Sequence, residues 1–130
     1  MKNIYKITSL IFVIALLSCN SVNNNENKNV TVTIDYGHDI SETNTVEWQN
    51  NITALECLQY IASVKTKAIS KHVIVTAIND SAGIRGKMAW YYKINNIPAK
   101  KLAINQEIDP GDTISWVFTQ DVCSAKVDNH

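Results

Sequence analysis

Residues 88–96 read MAWYYKINN, an aromatic-rich and β-prone run that ends in an Asn-Asn pair. The run predicts a strand over residues 88–94. Asn95 and Asn96 tolerate the positive φ angles of a type I′ turn. Pro98 excludes a central strand at its position, because proline cannot donate to a ladder. A strand that ends in a tight turn is therefore expected here.

Two further strands are predicted on either side of this run. Residues 73–78 (VIVTAI) read as a half or fully buried strand, and residues 79–87 form a loop of about nine residues before the aromatic run. After it, residues 109–112 (DPGD) carry Pro and Gly where a tight turn needs them, and residues 113–118 (TISWVF) are the last predicted strand.

The amino-terminal part of the domain predicts a hairpin. Residues 30–36 (VTVTIDY) alternate with period two, which indicates a strand with one apolar face. Residues 37–44 form a polar turn, and residues 45–48 are a short candidate return strand.

One helix follows the hairpin. Thr53 and Glu56 form a capping box, in which each side chain satisfies the backbone N–H of the other. Apolar residues then recur at helical spacing, so a helix is predicted from residue 54 to about residue 65. Residues 66–71 are predicted to be a polar connection with two lysines on a solvated face.

The order β-β-α-β-β-β is the pattern of a small α+β domain of the β-grasp type. We expect one helix packed on a mixed sheet of about five strands over residues 30–123. Residues 124–130 are expected to form a flexible tail.

Composition excludes several classes of protein. The chain has 130 residues, with 12 Lys and Arg against 12 Asp and Glu, and 45% of its residues are hydrophobic. These values are typical of one globular domain. A formal charge of zero without a basic stripe argues against a nucleic-acid binder.

Residues 1–18 have the organisation of a signal peptide. Lys2 and Lys6 precede an apolar run at residues 7–17. As a helix this run rises about 16 Å, roughly half of a bilayer core, so a lasting transmembrane span is not expected.

Residues 16–19 (LLSC) resemble the lipobox of bacterial lipoproteins. The resemblance implies acylation of Cys19, cleavage before it, and anchoring of the protein in a lipid bilayer of the bacterial cell envelope. Asn20 is not the Asp associated with inner-membrane retention, which favours the outer membrane. The alternative is an ordinary secretory signal. Residues 19–29 are expected to be the lipidated cysteine and a disordered, Asn-rich tether.

Cys57 and Cys123 then remain as a pair. An oxidising compartment favours a disulfide between them. Their places in the predicted topology, at the start of the helix and beyond the last strand, argue against one. In the alternative, Cys57 is a small buried apolar residue and Cys123 is a free thiol near the carboxyl terminus.

Residues 88–99 (MAWYYKINNIPA) and 108–118 (IDPGDTISWVF) resemble the family of transcobalamin-like C-terminal domains, catalogued as domain of unknown function 4430. That family has a Trp-aromatic strand ending in Asn-Gly, then a Gly-Asp turn and a closing strand that ends in an aromatic residue. The resemblance covers residues 30–119. Asn96 stands where the family usually has Gly, and Asn is the next-best residue at a left-handed position.

The resemblance implies a fold more than a ligand. In transcobalamin and intrinsic factor, a domain of this kind closes over cobalamin against a large helical barrel. The 130 residues of this chain leave no room for such a barrel. Cobalamin is thus a candidate ligand, and no cofactor is required by the sequence.

Trp90, Tyr91, Tyr92 and Asn95 are the candidate binding residues. Alternation along a strand places Trp90 and Tyr92 on one face and Tyr91 on the other. One face is expected to be core, with Trp90 in it. The other would offer stacking area and, with Asn95, amide donors to a flat ligand or a protein partner. The resemblance implies the same place, since the equivalent strand of the cobalamin carriers lies close to the ligand.

No motif for catalysis is found. His38, His72 and His130 lack metal-ligand spacing, and Asp109 and Asp112 lack the run of oxygen ligands that a Ca²⁺ loop needs. Neither a nucleophile elbow nor a phosphate-binding Gly loop occurs, so the protein is expected not to be an enzyme.

Three functions are compatible with these patterns. The first is a non-catalytic lipoprotein whose domain binds a small ligand or a partner protein at the cell envelope. The second is an accessory protein for corrinoid binding or uptake. The third is a structural spacer or assembly element of an envelope complex.

Overall fold

The computed structural model describes residues 28–123. The predicted signal peptide, Cys19 with the tether as far as residue 27, and the predicted tail at residues 124–130 lie outside the described residues. Lys28 and Asn29, the last two residues of the predicted tether, are described, and Asn29 already belongs to the first strand.

The described chain forms one helix and eight strands. In chain order they are β1 (Asn29–Gly37), β2 (Ile40–Glu47), α1 (Ala54–Ile61), β3 (Val64–Ile69), β4 (His72–Ile78), β5 (Ser81–Ala82), β6 (Met88–Ile94), β7 (Ile97–Pro98) and β8 (Thr113–Gln120).

Five of these strands form a mixed sheet in the order β2-β1-β8-β6-β7. The central pair, β1 and β8, is parallel, and the other neighbours are antiparallel. The predicted α+β, β-grasp-like architecture with one helix and a mixed sheet of about five strands is confirmed. Strand β6 has the predicted bounds, and Asn95 and Asn96 both have positive φ, as a tight turn requires.

The three-stranded sheet β3-β4-β5 was not predicted. The expectation of a polar connection at residues 66–71 is wrong, because β3 runs from Val64 to Ile69 and pairs with β4. Most of β3 is exposed, so its sequence shows no apolar face. Lysines on such an edge strand discourage pairing with other chains. The predicted loop at residues 79–87 contains the short strand β5.

Two boundaries also differ from the sequence prediction. The helix ends at Ile61 and not near residue 65, because Ala62 is extended and the backbone of Ser63 bonds to Asn79 instead of continuing the helix. The polar turn of the first hairpin is short, since His38 and Asp39 take positive φ angles and β2 begins at Ile40.

Buried residues from both sheets and the helix form one hydrophobic cluster. Its largest fully buried side chains come from β1, β8, α1 and β4: Ile34, Val30, Val32, Trp116, Ile114, Leu58, Cys57 and Ile78. Each aliphatic side chain of this size contributes about 1.5–3 kcal/mol when it leaves water. Every buried hydrophobic residue in the described range lies between Val30 and Trp116, so a chain of residues 20–130 keeps this core intact.

The helix is anchored at its amino-terminal end. The Thr53 hydroxyl accepts from the Glu56 N–H at 3.2 Å, and the Glu56 carboxylate accepts from the Thr53 N–H at 2.9 Å. The N–H groups of Ala54 and Leu55 donate to the carbonyls of Gln106 and Ala103. The predicted capping box is confirmed, and the segment before β8 is fixed against the helix.

Within residues 28–123, none of the helical structure is long and apolar enough to cross a bilayer.

We expect Thr53→Ala to lower the free energy of unfolding by about 1 kcal/mol, because the hydroxyl that accepts from the Glu56 N–H is removed while the backbone N–H of residue 53 remains. Urea unfolding of residues 20–130 measures this change. Gln59→Ala, at an exposed position of the same helix, is the control and should change stability by less than about 0.5 kcal/mol. Equal effects of the two substitutions would contradict the structural role of the cap.

Candidate functional site

Trp90 belongs to the core face of the five-stranded sheet. Its side chain is 7% exposed. The ring packs edge-on against Tyr36 at 5.6 Å between centroids and lies 4.8 Å from Phe118, its cross-strand neighbour. The indole N–H donates to the Ser81 carbonyl at 2.9 Å. The side chain of Trp90 therefore ties β5 to the sheet, and its one polar group is already engaged.

Tyr92 lies on the same face, nearer to the edge of the sheet. Its ring stacks on Trp116 with 4.9 Å between centroids. The hydroxyl donates to the Lys101 carbonyl, which fixes the connection after β7 against β6. Burial raises the pKa of Tyr92 to about 12.

Tyr91 points to the opposite face of β6, as alternation predicts. Its hydroxyl donates to Asp121 Oδ1 at 3.4 Å. Partial burial raises the pKa of Tyr91, and a hydrogen bond with Cys123 acts in the same direction. Asp121 is 5% exposed and also accepts from the Gly86 N–H at 2.8 Å. Tyr91 thus lies where the last described residues leave β8.

Asn95 is engaged in the turn that follows β6. Its Nδ2 donates to Asp112 Oδ1 at 2.9 Å, and its Oδ1 accepts from the Thr113 N–H at 2.9 Å. Both ends of the amide join the β6–β7 turn to the start of β8. The interpretation of Asn95 as an amide donor for a ligand therefore finds no support in its geometry.

Three of the four candidate residues border a groove of about 450 Å³. Its walls come from three separate segments: residues 73–75 of β4, residues 89–92 of β6, and residues 99–103 after β7. Trp116, Asp121 and Cys123 complete the lining. A cavity of this size lies within the range of ligand-binding sites in proteins. We call this feature the β4–β6 groove.

Trp116, which lines the groove, has an unused hydrogen-bond donor. Trp116 is 2% exposed, and its Nε1 is the one buried side-chain N or O atom in residues 28–123 without a partner. Buried donors in native proteins are nearly always satisfied, by protein or by water. An acceptor on a ligand or water molecule that reached Nε1 would remove this deficit.

Sequence reasoning missed three parts of the site. The sequence predicts Trp116 in a strand without a binding role, predicts residues 73–75 within a half or fully buried strand, and does not indicate Lys100 and Lys101. The two lysines are exposed and line the groove. A Trp in the closing strand was a usable signal, whereas the lysines are distant in sequence from β4.

The two cysteines are not bonded to each other. Cys57 is fully buried in α1, and this burial raises the pKa of its thiol to about 11. Cys123 is exposed at the groove.

No metal centre is evident among the described side chains. Within residues 28–123, no three His, Cys, Asp or Glu side chains lie close enough to hold a metal ion together. His38 lies in the β1–β2 turn and His72 starts β4, while His130 lies outside the described residues.

Residues 51–120 match the model of a family described as Domain of unknown function (DUF4430). The search among solved structures found the crystal structure of a proposed metal binding protein from Ruminococcus gnavus, with a TM-score of 0.62 and 13% sequence identity. The alignment covers 72% of this chain and 98% of that one. At this identity the likeness is one of fold. No curated protein matches the sequence.

We expect the two described thiols to differ sharply in reactivity, because the thiolate is the reacting form and Cys57 is buried with a raised pKa. Ellman's reagent at pH 8 should label Cys123 of residues 20–130 at once and Cys57 only after denaturant is added. A Cys123→Ser variant should lose the fast phase. The absence of any reactive thiol before reduction would instead show a disulfide.

We expect Tyr92 to make stability fall at high pH. Its pKa is about 12 in the folded protein and about 10 in an unfolded chain, so the unfolded state ionises first. The contribution of Tyr92 to stability is complete below about pH 10 and is lost as pH rises towards 12. Urea unfolding across this range should show a shallower loss for Tyr92→Phe than for the unsubstituted chain. Parallel curves would contradict the assignment.

Proposed function

The chain belongs to the DUF4430 family, whose description names no activity, and from this premise we propose that its folded domain is a non-catalytic binding module with the β4–β6 groove as its site. A single observation carries the proposal. The groove has an apolar, aromatic lining, and Trp116 of that lining has a buried indole N–H without an acceptor. Apolar walls with few directed polar groups are typical of binding sites.

The aromatic residues contribute unequally to this site. Trp90 and Tyr92 use their side-chain polar groups inside the protein, so they offer ring surface and fixed walls. Tyr91 has the longest of the three hydrogen bonds, at 3.4 Å to Asp121, and its hydroxyl is the one best able to exchange partners. Among the four residues predicted from the sequence, Tyr91 is therefore the one that we assign to ligand contact.

Location at the cell envelope is part of the proposal. It rests on the lipobox-like residues 16–19 and on the Asn-rich segment that follows them. Acylation of Cys19 would hold the domain at a membrane surface, with the groove free to meet a partner.

Metal binding does not enter the proposal. The Ruminococcus gnavus protein is similar in fold, but at 13% identity its ligand does not transfer to this chain. The described side chains of residues 28–123 include no cluster of metal-ligating groups.

A corrinoid is the second candidate ligand. The resemblance to cobalamin carriers points to β6, and β6 forms a wall of the groove. The groove would hold a corrinoid from one side, so a partner protein would have to close over it.

We expect either cyanocobalamin or a random heptapeptide mixture to shift the backbone NMR signals of residues 73–75 and 89–92 in a chain of residues 20–130. Signals of β2, at the opposite edge of the five-stranded sheet, should stay in place. Ala99→Trp should abolish the response, because it fills the groove from a position that lines it. Ser41→Trp, at an exposed position of β2, is the matched control.

Either probe acting on the groove supports a binding module. If a folded chain responds to neither probe at millimolar concentration, the domain is better described as a spacer or assembly element. The cooperative urea unfolding of each variant establishes that a lost response does not come from a lost fold.

A further inference from the structure

We propose that the β4–β6 groove accepts an extended acidic peptide segment of a partner protein, which pairs with the free edge of β4 as an additional strand. This inference rests on the proposed binding function and names its ligand class. It follows from unpaired backbone groups at the groove and from the charge of its rim.

Strand β4 is paired on both sides along only part of its length. Strand β3 pairs with it from His72 to Ile78. On the other side β5 pairs with Ala77 and Ile78, and the Gly83 N–H donates to the Thr76 carbonyl at 2.8 Å. The chain then turns away, so within the described part of the chain the edge at residues 73–75 has no neighbouring strand. The β4 residues that line the groove are these same three.

The hairpin register shows which backbone groups are free. Strands β3 and β4 are joined by a two-residue turn, Ser70 and Lys71. Ile69 and His72, which flank the turn, therefore form a hydrogen-bonded pair. Bonding alternates along an antiparallel ladder, which makes Ile74 bond to β3. The N–H and C=O groups of Val73 and Val75 therefore point away from β3 and have no backbone partner among residues 28–123.

These four groups are what an added strand needs. Two donors and two acceptors at alternate residues match the backbone of an extended peptide. The peptide would lie along β4 in line with β5, beyond the point where the chain leaves at Gly83. An apolar small molecule bound in the groove would leave all four backbone groups without a hydrogen-bond partner.

Strand β6 also exposes an edge to the groove. The Met88 N–H donates to the Ile84 carbonyl, and the Tyr92 carbonyl accepts from the Ala99 N–H. Trp90 lies between these two residues. The backbone of Asn95 bonds to Thr113 and that of Lys87 to Asp121, so odd-numbered residues of β6 are the ones hydrogen-bonded to β8. Trp90 and Phe118 therefore form a non-hydrogen-bonded pair. The backbone of Trp90 thus faces away from β8, which gives the second wall a donor and an acceptor.

Charge selects the kind of peptide. Lys100 and Lys101 are exposed on the groove lining, and neither has an ion-pair partner among residues 28–123. Asp121 is the acidic residue of the lining, and it is buried and engaged with Gly86 and Tyr91. The accessible charge of the groove is therefore positive, which favours acidic side chains in the strand that enters it.

The test uses a capped heptapeptide of alternating glutamate and valine, added to residues 20–130. Amide exchange is followed by NMR. The amides of Val73 and Val75 should exchange at least about tenfold more slowly with saturating peptide, while the amide of Ile74, already bonded to β3, should not change. A peptide with N-methylated backbone positions should bind at least about tenfold more weakly.

Charge is tested separately with substitutions at exposed positions. Lys100→Glu with Lys101→Glu should weaken binding of the acidic peptide by about tenfold at low salt. Lys28→Glu with Lys65→Glu, at exposed positions outside the groove lining, makes the same change in net charge and should leave the affinity within about twofold. A heptapeptide of lysine and valine should bind more weakly than the acidic one.

Two results obtained with bound peptide would overturn the inference. One is peptide binding that leaves Val73 and Val75 unprotected; the other is equal affinity for the acidic and basic peptides. If cyanocobalamin shifts the groove signals and the acidic peptide does not, this inference fails while the binding function stands. If the acidic peptide, cyanocobalamin and the random heptapeptide mixture all leave the signals of a folded chain unchanged, both fail.

Discussion

The parallel pairing of β1 with β8 is the constraint on which the rest of the structure depends. It joins residues 31–35 to residues 113–117, from the two ends of the described chain. Val32 lies beside Ile114 and Ile34 beside Trp116, so the pair also supplies the centre of the core. Everything between these strands is one long crossover. The helix, the second sheet and the groove are positioned by it.

The sequence allowed the main elements to be predicted where local pattern and burial agree. Strand β6, the capping box at Thr53 and the alternating strand β1 are examples. Strand β3 was not predicted because its side chains are mostly exposed, so its sequence has no apolar periodicity that indicates pairing with β4. The groove could not be predicted from the sequence for a different reason. Its walls come from segments that are distant in sequence, and their meeting depends on how the second sheet lies against the first.

The candidate residues show the same limit at the level of single side chains. Composition identified Trp90, Tyr92 and Asn95 as chemically able to bind a ligand. Their side-chain polar groups are instead bonded within the protein. Trp90 bonds to Ser81, Tyr92 to Lys101, and Asn95 to both Asp112 and Thr113. Whether a donor is free depends on contacts formed in the folded state. The free groups belong to less conspicuous positions: the indole of Trp116 and the backbone of Val73 and Val75.

The central parallel pair also has a kinetic consequence. Contacts between residues so far apart in the chain form late and slowly, because a long loop must close before they gain any energy. β8 is the last strand of the described chain, so the core cannot close until nearly all of the described residues have been synthesised. Until then Cys57 is unshielded. In an oxidising compartment, closure of the sheet would compete with oxidation of this thiol.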